Sequence, residues 1–416
     1  MTNSLKKNVL SMFGMQGINY LVPLIVLPYL TRVLGASGYG QMGLALALIQ
    51  YFVLFTDFGF NLKSSKAIAQ SKDNHAKISQ IYWVTIACKF SLAIISLLIL
   101  SALVFSIPKF YEIRVLVFIT AMQIVASVLL PIWFFQGLEK MSLFALINSI
   151  LKVLSVPLIF IFVKDYTDVY WAAGIQAGIP LFAGIYSTYF IFKNKLVTRV
   201  KITFQEILST VKESSVIFIG SLTIFLYTMS APLILGLVNS YDEVGIYSAA
   251  DKIKSALLGL FLVLGSVFYP RVNALIKEDS LKAFVFLKKL IIYQSLISVC
   301  IGLPFFILIP HAVNMILGQQ FIQAGSILQI MSPMIFLIPM SVIFSNYILL
   351  SFGHNTLYAR IPIFVGSLHL SYVIYFSKVF GAEGTAVAVL ITEFISFIVL
   401  LIVTYKKGYI KKIIRA

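Results

Sequence analysis

The 416 residues are 60% hydrophobic and only 11% charged, and the mean hydropathy of +0.98 lies far outside the range of water-soluble domains. The formal net charge of +17 does not mark a nucleic-acid partner, because the lysines fall in short clusters between apolar runs and no basic domain stands apart. The two cysteines, Cys88 and Cys300, both lie inside apolar runs; they exclude a disulfide framework and a cysteine metal site, and read as small buried apolar residues.

Crossing the hydrocarbon layer takes about 20 apolar residues per helix. About twelve such runs follow one another, starting near residues 9, 40, 79, 114, 141, 169, 214, 245, 285, 325, 359 and 384. The first follows Lys6 and Lys7, is too long for a signal-peptide core and ends on Gly35-Ala36-Ser37, a poor cleavage site, so it reads as an uncleaved span. Pro23, Pro28, Pro157 and Pro339 inside spans predict kinks. Short loops rich in lysine and arginine stay in the cytoplasm. Counting from an inner N-terminus gathers most of these residues on one side, from Lys63 and Lys66 through Lys193, Lys195 and Arg199 to Lys411 and Lys412. Arg32, Lys109, Arg114, Lys164 and Lys378 fall on the other. Both termini are therefore expected in the cytoplasm, with an even number of spans. The outer loops are short, the longest expected at 310–324, which leaves no outer domain to hold an active site.

Three segments recur in order at a nearly constant offset. "LGASGYGQMGLA" aligns with "VNSYDEVGIYSAA" when Gly40 is set on Gly245; "FQGLEK" and "SFGHNT" pair Gly137 with Gly353; "WAAG" and "GAEG" pair Gly174 with Gly384. The chain thus reads as an N-terminal lobe, 1–200, with spans 1–6, and a C-terminal lobe, 201–416, with spans 7–12. The basic stretch 193–213 joins them. Six spans per lobe is an even number, so the two would share one orientation about an axis along the membrane normal, with a substrate cavity between them, as in alternating-access transporters.

Ionisable residues inside spans are rare because each costs roughly 2.5–3.5 kcal/mol to insert, and they usually face a bundle interior or water. Lys89 in the third span and Lys152 in the fifth stand about eleven residues from the span start, or about 16 Å of helix rise, too deep to reach a surface easily. "YSAADKIKSALLGL", 247–260, carries Asp251, Lys252 and Lys254; the first and last, at spacing i, i+3, can pair with each other. Asp57 and Arg271 lie near span ends, where a gate and a solvated helix end are equal alternatives; His369 fits a hydrogen-bonded packing histidine better than a proton carrier; Glu393 lies in the twelfth span. Four lysines against two or three carboxylates predict a net positive cavity, suited to an anion. Lys89, Lys152, Lys252 and Lys254 are therefore the candidates for binding an anion, which the resemblance described next implies to be a lipid diphosphate, Asp57, Asp251 and Glu393 those for ion coupling, and Arg32, Arg271 and Arg360 those for a gate or cavity rim. "GASGYG", 35–40, lacks the order and the terminal lysine of a phosphate-binding loop, so no ATP hydrolysis is expected. A gradient of H+, of Na+ or of the substrate itself would drive transport, with no cofactor.

"PLIVLPYLTRVLGASGYGQMGLA" (23–45), "TDFGFNLKSSKAIAQ" (56–70), "PIWFFQGLEKM" (131–141) and "VGIYSAADKI" (244–253) resemble the polysaccharide-transporter branch of the multidrug/oligosaccharidyl-lipid/polysaccharide (MOP) exporter superfamily, and within it bacterial O-antigen flippases of the Wzx type. The resemblance spans the whole chain. It implies an all-α integral membrane protein of MATE-like fold in the bacterial inner membrane. Such a protein moves an undecaprenyl-diphosphate-linked oligosaccharide from the cytoplasmic to the periplasmic leaflet, with membrane lipids and other polysaccharide assembly proteins as partners and no nucleic acid. An ion-coupled multidrug exporter of the same superfamily is the first alternative and should show an acidic cavity. A membrane polysaccharide polymerase or glycosyltransferase would need a sizeable loop with acidic or arginine residues, which is absent. Lipid II flippases usually carry two further spans. A major-facilitator protein is disfavoured because "NLKSSKAIAQSKDNHAKIS", 61–79, lacks that family's Gly and Asp-Arg signature.

Overall fold

The computed structural model describes the backbone from Asn3 to Ala416 and the side chains from Gly14 on, apart from 262–264 and 266–267; Lys6 and Lys7 lie outside the described side chains. The described chain is helical with no strand, as a backbone in hydrocarbon must be when it closes its hydrogen bonds within each segment. Nine of the described helices are long and apolar enough to cross a membrane. Two of these are each a pair of helices joined across a glycine, at Gly35 (φ 66°, ψ 179°) and at Gly381 (φ 57°, ψ −137°). A side chain at such positive φ is strained, so glycine is what lets the chain turn there without a loop.

Contacts divide the chain into two compact units, Met1–Leu222 and Thr223–Ala416. The first begins with α1 (Asn3–Asp57), broken at Gly35, followed by α2 (Phe60–Ala69) and α3 (His75–Ser106). An interrupted segment comes next: α4 (Pro108–Glu112), α5 (Arg114–Thr120), α6 (Met122–Leu129) and α7 (Ile132–Gly137). The long helices α8 (Met141–Phe162) and α9 (Val169–Lys193) complete it, α8 against α1 and α9 against α6 and α8. Between them Asp165 and Asp168 form a capping box over the short 3-10 turn Tyr166–Asp168. The core of this unit is aromatic, built from Tyr82, Trp133, Phe134, Phe135 and Phe144, each buried. The expected kinks at Pro23, Pro28 and Pro157 do not end their helices, which run through all three prolines.

From α10 (Phe204–Thr228), which belongs to the first unit up to Leu222, the order of helices repeats. α10 and α11 (Ser230–Val238) lead to a break at extended Asn239, then α12 (Tyr241–Glu278), capped by Ser240, whose hydroxyl accepts from the Glu243 amide. α13 (Ser280–Leu317) follows. The interrupted segment here is α14 (Ala324–Met331), α15 (Met334–Val342) and a π-helix, Ile343–Leu350. α16 (Asn355–Lys406), broken at Gly381, and α17 (Tyr409–Arg415) end the chain. At that break the Glu243 carboxylate accepts from the Ala382 amide at 2.5 Å, so a side chain from the start of α12 satisfies an orphan donor on α16. The order of a broken start, a long helix, an interrupted segment and two further helical stretches thus occurs twice along the chain.

By contacts the two compact units meet inside α10, at Leu222/Thr223. Within the first unit Phe58 stacks on Phe218 with centroids 4.3 Å apart, and Lys63 pairs with Glu213 at 3.0 Å. Two expectations are corrected. Cys88 is buried but Cys300 is exposed, because an apolar run in a membrane protein presents one face to lipid as well as one to the bundle. The stretch 310–324 is not a loop of that length, since α13 runs to Leu317 and a 3-10 turn at Gln319–Phe321 leads directly toward α14. Large apolar side chains are exposed in each unit, Leu98 and Phe105 in the first and Leu303 and Met315 in the second, as expected of helices that face lipid.

Candidate functional site

In the first unit the chain turns out of α1 through Phe58 (φ 42°) and Gly59 (φ 79°), which sets the end of α1 beside the start of α2. Asp57 and Asn61 stand on either side of that turn, and Lys89 reaches them from α3. Its ammonium donates to Asp57 Oδ1 at 2.6 Å, to the Ser127 carbonyl at 3.1 Å and to Asn61 Oδ1 at 3.3 Å. An ammonium has three hydrogens to donate; here each has an oxygen. Lys89 is 1% exposed. Burying that charge would be prohibitive alone, and the ion pair with its two further hydrogen bonds offsets the desolvation. Against this group lies a cavity of about 250 Å³ lined by Val53, Asp57, Asn61, Lys89, Gln123, Ala126, Ser127, Leu130, Ile132 and Pro180. Gln123 is oriented by Gln50, whose amide donates to it at 2.9 Å.

Lys152 on α8 is directed toward α1, where its ammonium donates to Asn19 Oδ1 at 2.9 Å. A second cavity of the same unit, about 700 Å³, is lined by Lys63, Lys66, Gln70 and Gln136 among apolar neighbours. Lys63 is engaged there by Glu213 and by the Thr210 carbonyl at 3.3 Å.

The second unit holds its charges differently. Lys254 pairs with Asp251 one turn earlier on α12, Nζ to Oδ1 2.5 Å, with Lys254 buried and Asp251 about 39% exposed. Lys252 on the same turn is exposed. Glu393 on α16, half-buried, interacts electrostatically with Lys254, Tyr227 and Tyr372. Next to Glu393, Thr392 joins His369 and Tyr372: His369 Nδ1 lies 2.6 Å and the Tyr372 hydroxyl 2.5 Å from Thr392 Oγ1. The other ring nitrogen of His369 lies 3.3 Å from Ser230 Oγ, and the histidine is fully buried. Both nitrogens are thus occupied, which fits the packing role.

The structure regroups the residues singled out in the sequence. Lys89 and Asp57, assigned to anion binding and to ion coupling, are one pair. Lys254 and Asp251 are another, as their spacing allowed. Arg32, three residues before the Gly35 break, Arg271 and Arg360 are exposed. What sequence reasoning missed are the neutral partners Asn19, Asn61, Gln50, Gln123 and Thr392. No charge marks them within apolar runs, and their only signal was an amide or hydroxyl inside a span. Among the described residues no cluster of His, Cys, Asp and Glu could hold a metal ion.

A helical multi-pass protein with cavities and paired charges inside its bundles has the architecture of a membrane transporter. The comparisons with known proteins agree and narrow the class. The polysaccharide biosynthesis protein family matches residues 5–276, and the chain belongs to that family. A putative O-antigen transporter of Escherichia coli (strain K12) is 30% identical over 390 residues, 94% of each chain. Another from Shigella dysenteriae is 31% identical over 392 residues, 94% of this chain and 97% of that one. Among solved structures, the lipid II flippase MurJ in an inward closed conformation has a TM-score of 0.75 at 16% identity, covering 98% of this chain and 90% of its own. An inward-facing multidrug resistance MATE family transporter of the MOP superfamily has a TM-score of 0.67 at 16% identity, covering 95% and 96%. These likenesses establish the fold.

Proposed function

We propose that this protein flips an undecaprenyl-diphosphate-linked oligosaccharide, an O-antigen or related surface polysaccharide unit, from the cytoplasmic to the periplasmic leaflet of a bacterial inner membrane by alternating access, with both termini in the cytoplasm. The observation that carries the reading is the likeness to putative O-antigen transporters along 94% of the chain. Four lysines inside spans, Lys89, Lys152, Lys252 and Lys254, against the three carboxylates Asp57, Asp251 and Glu393 support an anionic headgroup. Lys252, exposed on α12, is the first partner for the diphosphate, with Lys152, whose ammonium also donates to Asn19, as the second. Lys89 and Lys254 are each engaged by a carboxylate and contribute through the local field.

Coupling to H+ or Na+ is assigned to Glu393. Asp57 and Asp251 each sit in a direct ion pair with a lysine. A carboxylate that must take up and release a cation is better placed where no ammonium is hydrogen-bonded to it. The test is complementation of a flippase-deleted strain, read as surface polysaccharide at matched protein level. Lys252→Arg should export more than Lys252→Ala, and Glu393→Gln should abolish the dependence on the ion gradient. Full export by Lys252→Ala would remove the lysine from the site, and failure of the wild-type chain to restore any polysaccharide would remove the substrate class.

A further inference from the structure

The surroundings of the Lys89 ammonium are those of a metal-free cation site. Three oxygens of three different chemical kinds converge on one point: a carboxylate from the end of α1, a side-chain amide from α2 and a backbone carbonyl from α6, at 2.6, 3.3 and 3.1 Å from Nζ. Carboxylate, amide and carbonyl oxygens are the ligand set that hard cations select, and soft or transition metals do not. The net charge of the donor set is −1, which one monovalent cation balances. The adjoining cavity of about 250 Å³ has room for the waters that would complete a coordination shell, and Gln123 lines its wall. Lys89 is 1% exposed, so its ammonium is a fixed internal occupant of this cage.

We infer that Lys89 is a tethered cation, filling a latent monovalent-cation site formed by Asp57, Asn61 and the Ser127 carbonyl, so that the first unit needs no free ion and Asp57 is withdrawn from ion coupling. This does not rest on the proposed substrate: it concerns which cation the first unit binds, whatever the protein carries. A consequence follows from linkage. A cation that binds the folded protein and not the unfolded chain raises the unfolding temperature, so the site is read from stability alone, without a transport assay.

The experiment uses the purified full-length protein in lipid nanodiscs, with thermal unfolding followed in sodium chloride and in choline chloride at equal ionic strength. Wild type should unfold at the same temperature in both, because the ammonium already occupies the cage. Lys89→Met should unfold lower in choline and recover by several degrees in sodium or in methylammonium chloride. The Lys89→Met, Asp57→Asn double variant should lose that recovery, since the charge the ion neutralises is gone. A sodium-dependent rise in the wild type that Asp57→Asn abolishes would overturn the inference, because a free ion would then bind beside the lysine. Indifference of folded Lys89→Met to every monovalent cation would overturn it too. Should Lys89→Met not fold, Lys89→Ala purified in methylammonium chloride takes its place: survival only with the amine supports the tethered cation, and equal loss in all salts refutes it.

Discussion

The two units solve one problem, an ammonium inside a membrane protein, in opposite ways. In the first, Lys89 meets its carboxylate across helices, Asp57 being 32 residues away in sequence, and the other two hydrogens go to two further segments. In the second, Lys254 meets Asp251 three residues back on one helix, and the carboxylate remains partly exposed. A pair across helices requires the tertiary structure and stabilises it. A pair along one helix forms wherever that helix forms, and contributes little to how helices pack. Lys89 is thus held by three segments of the first unit, and Lys254 by a partner on its own helix.

The largest expected effect tests the locked pair. Lys89→Ala or Asp57→Ala alone leaves a buried charge without its partner and should destabilise the protein by about 3–5 kcal/mol, seen as a fall in unfolding temperature. The double variant should cost less than the sum of the two. Equal, additive losses would show that the pair is not coupled and would break the contrast.

A middle effect is expected in the polar network beside Glu393. His369→Phe removes a ring nitrogen from the buried Ser230 hydroxyl, at about 1–3 kcal/mol, while Thr392 keeps the Tyr372 hydroxyl and the Ala388 carbonyl; the same unfolding measurement reads it. The local pair should matter less. With Asp251 about 39% exposed, its carboxylate keeps access to water after Lys254→Ala, so that variant should cost less than the about 3–5 kcal/mol expected for Lys89→Ala, by the same measurement.

The smallest effect lies outside the spans. Asp165 accepts from the Thr167 hydroxyl and amide, and these bonds hold its carboxyl below the ordinary value of 3.8. A folded-state value lower than the unfolded one means that the contribution is complete above the unfolded value and is lost as the pH falls below about 3.8 through the folded one. Thr167→Val should shrink this acid-side loss, measurable by the titration of the single carboxylate in a suitably labelled protein.

Much of the architecture was legible in the residues. Apolar run length marks spans because hydrocarbon thickness is fixed; a break in the helix follows at Gly35 with positive φ and another at extended Asn239. Tertiary partners were not legible. Asp57 reads as a residue near a span end until the positive-φ turn at Phe58 and Gly59 folds α2 back and brings Lys89 against it. The π-helix at Ile343–Leu350 and the unbroken course through Pro23, Pro28 and Pro157 depend on neighbours and not on local sequence. By contrast the Asp251–Lys254 pair was legible, since its geometry is fixed by helix periodicity alone.

The most direct test of the account is reconstitution of the purified chain in vesicles that carry a fluorescent undecaprenyl-diphosphate-linked sugar, with exposure of the sugar at the outer leaflet read by an impermeant quencher. The account predicts that the quenchable fraction rises with protein content, and rises less with Lys252→Ala at equal incorporation. An unchanged quenchable fraction, in vesicles where the same protein moves a cationic dye, would contradict it.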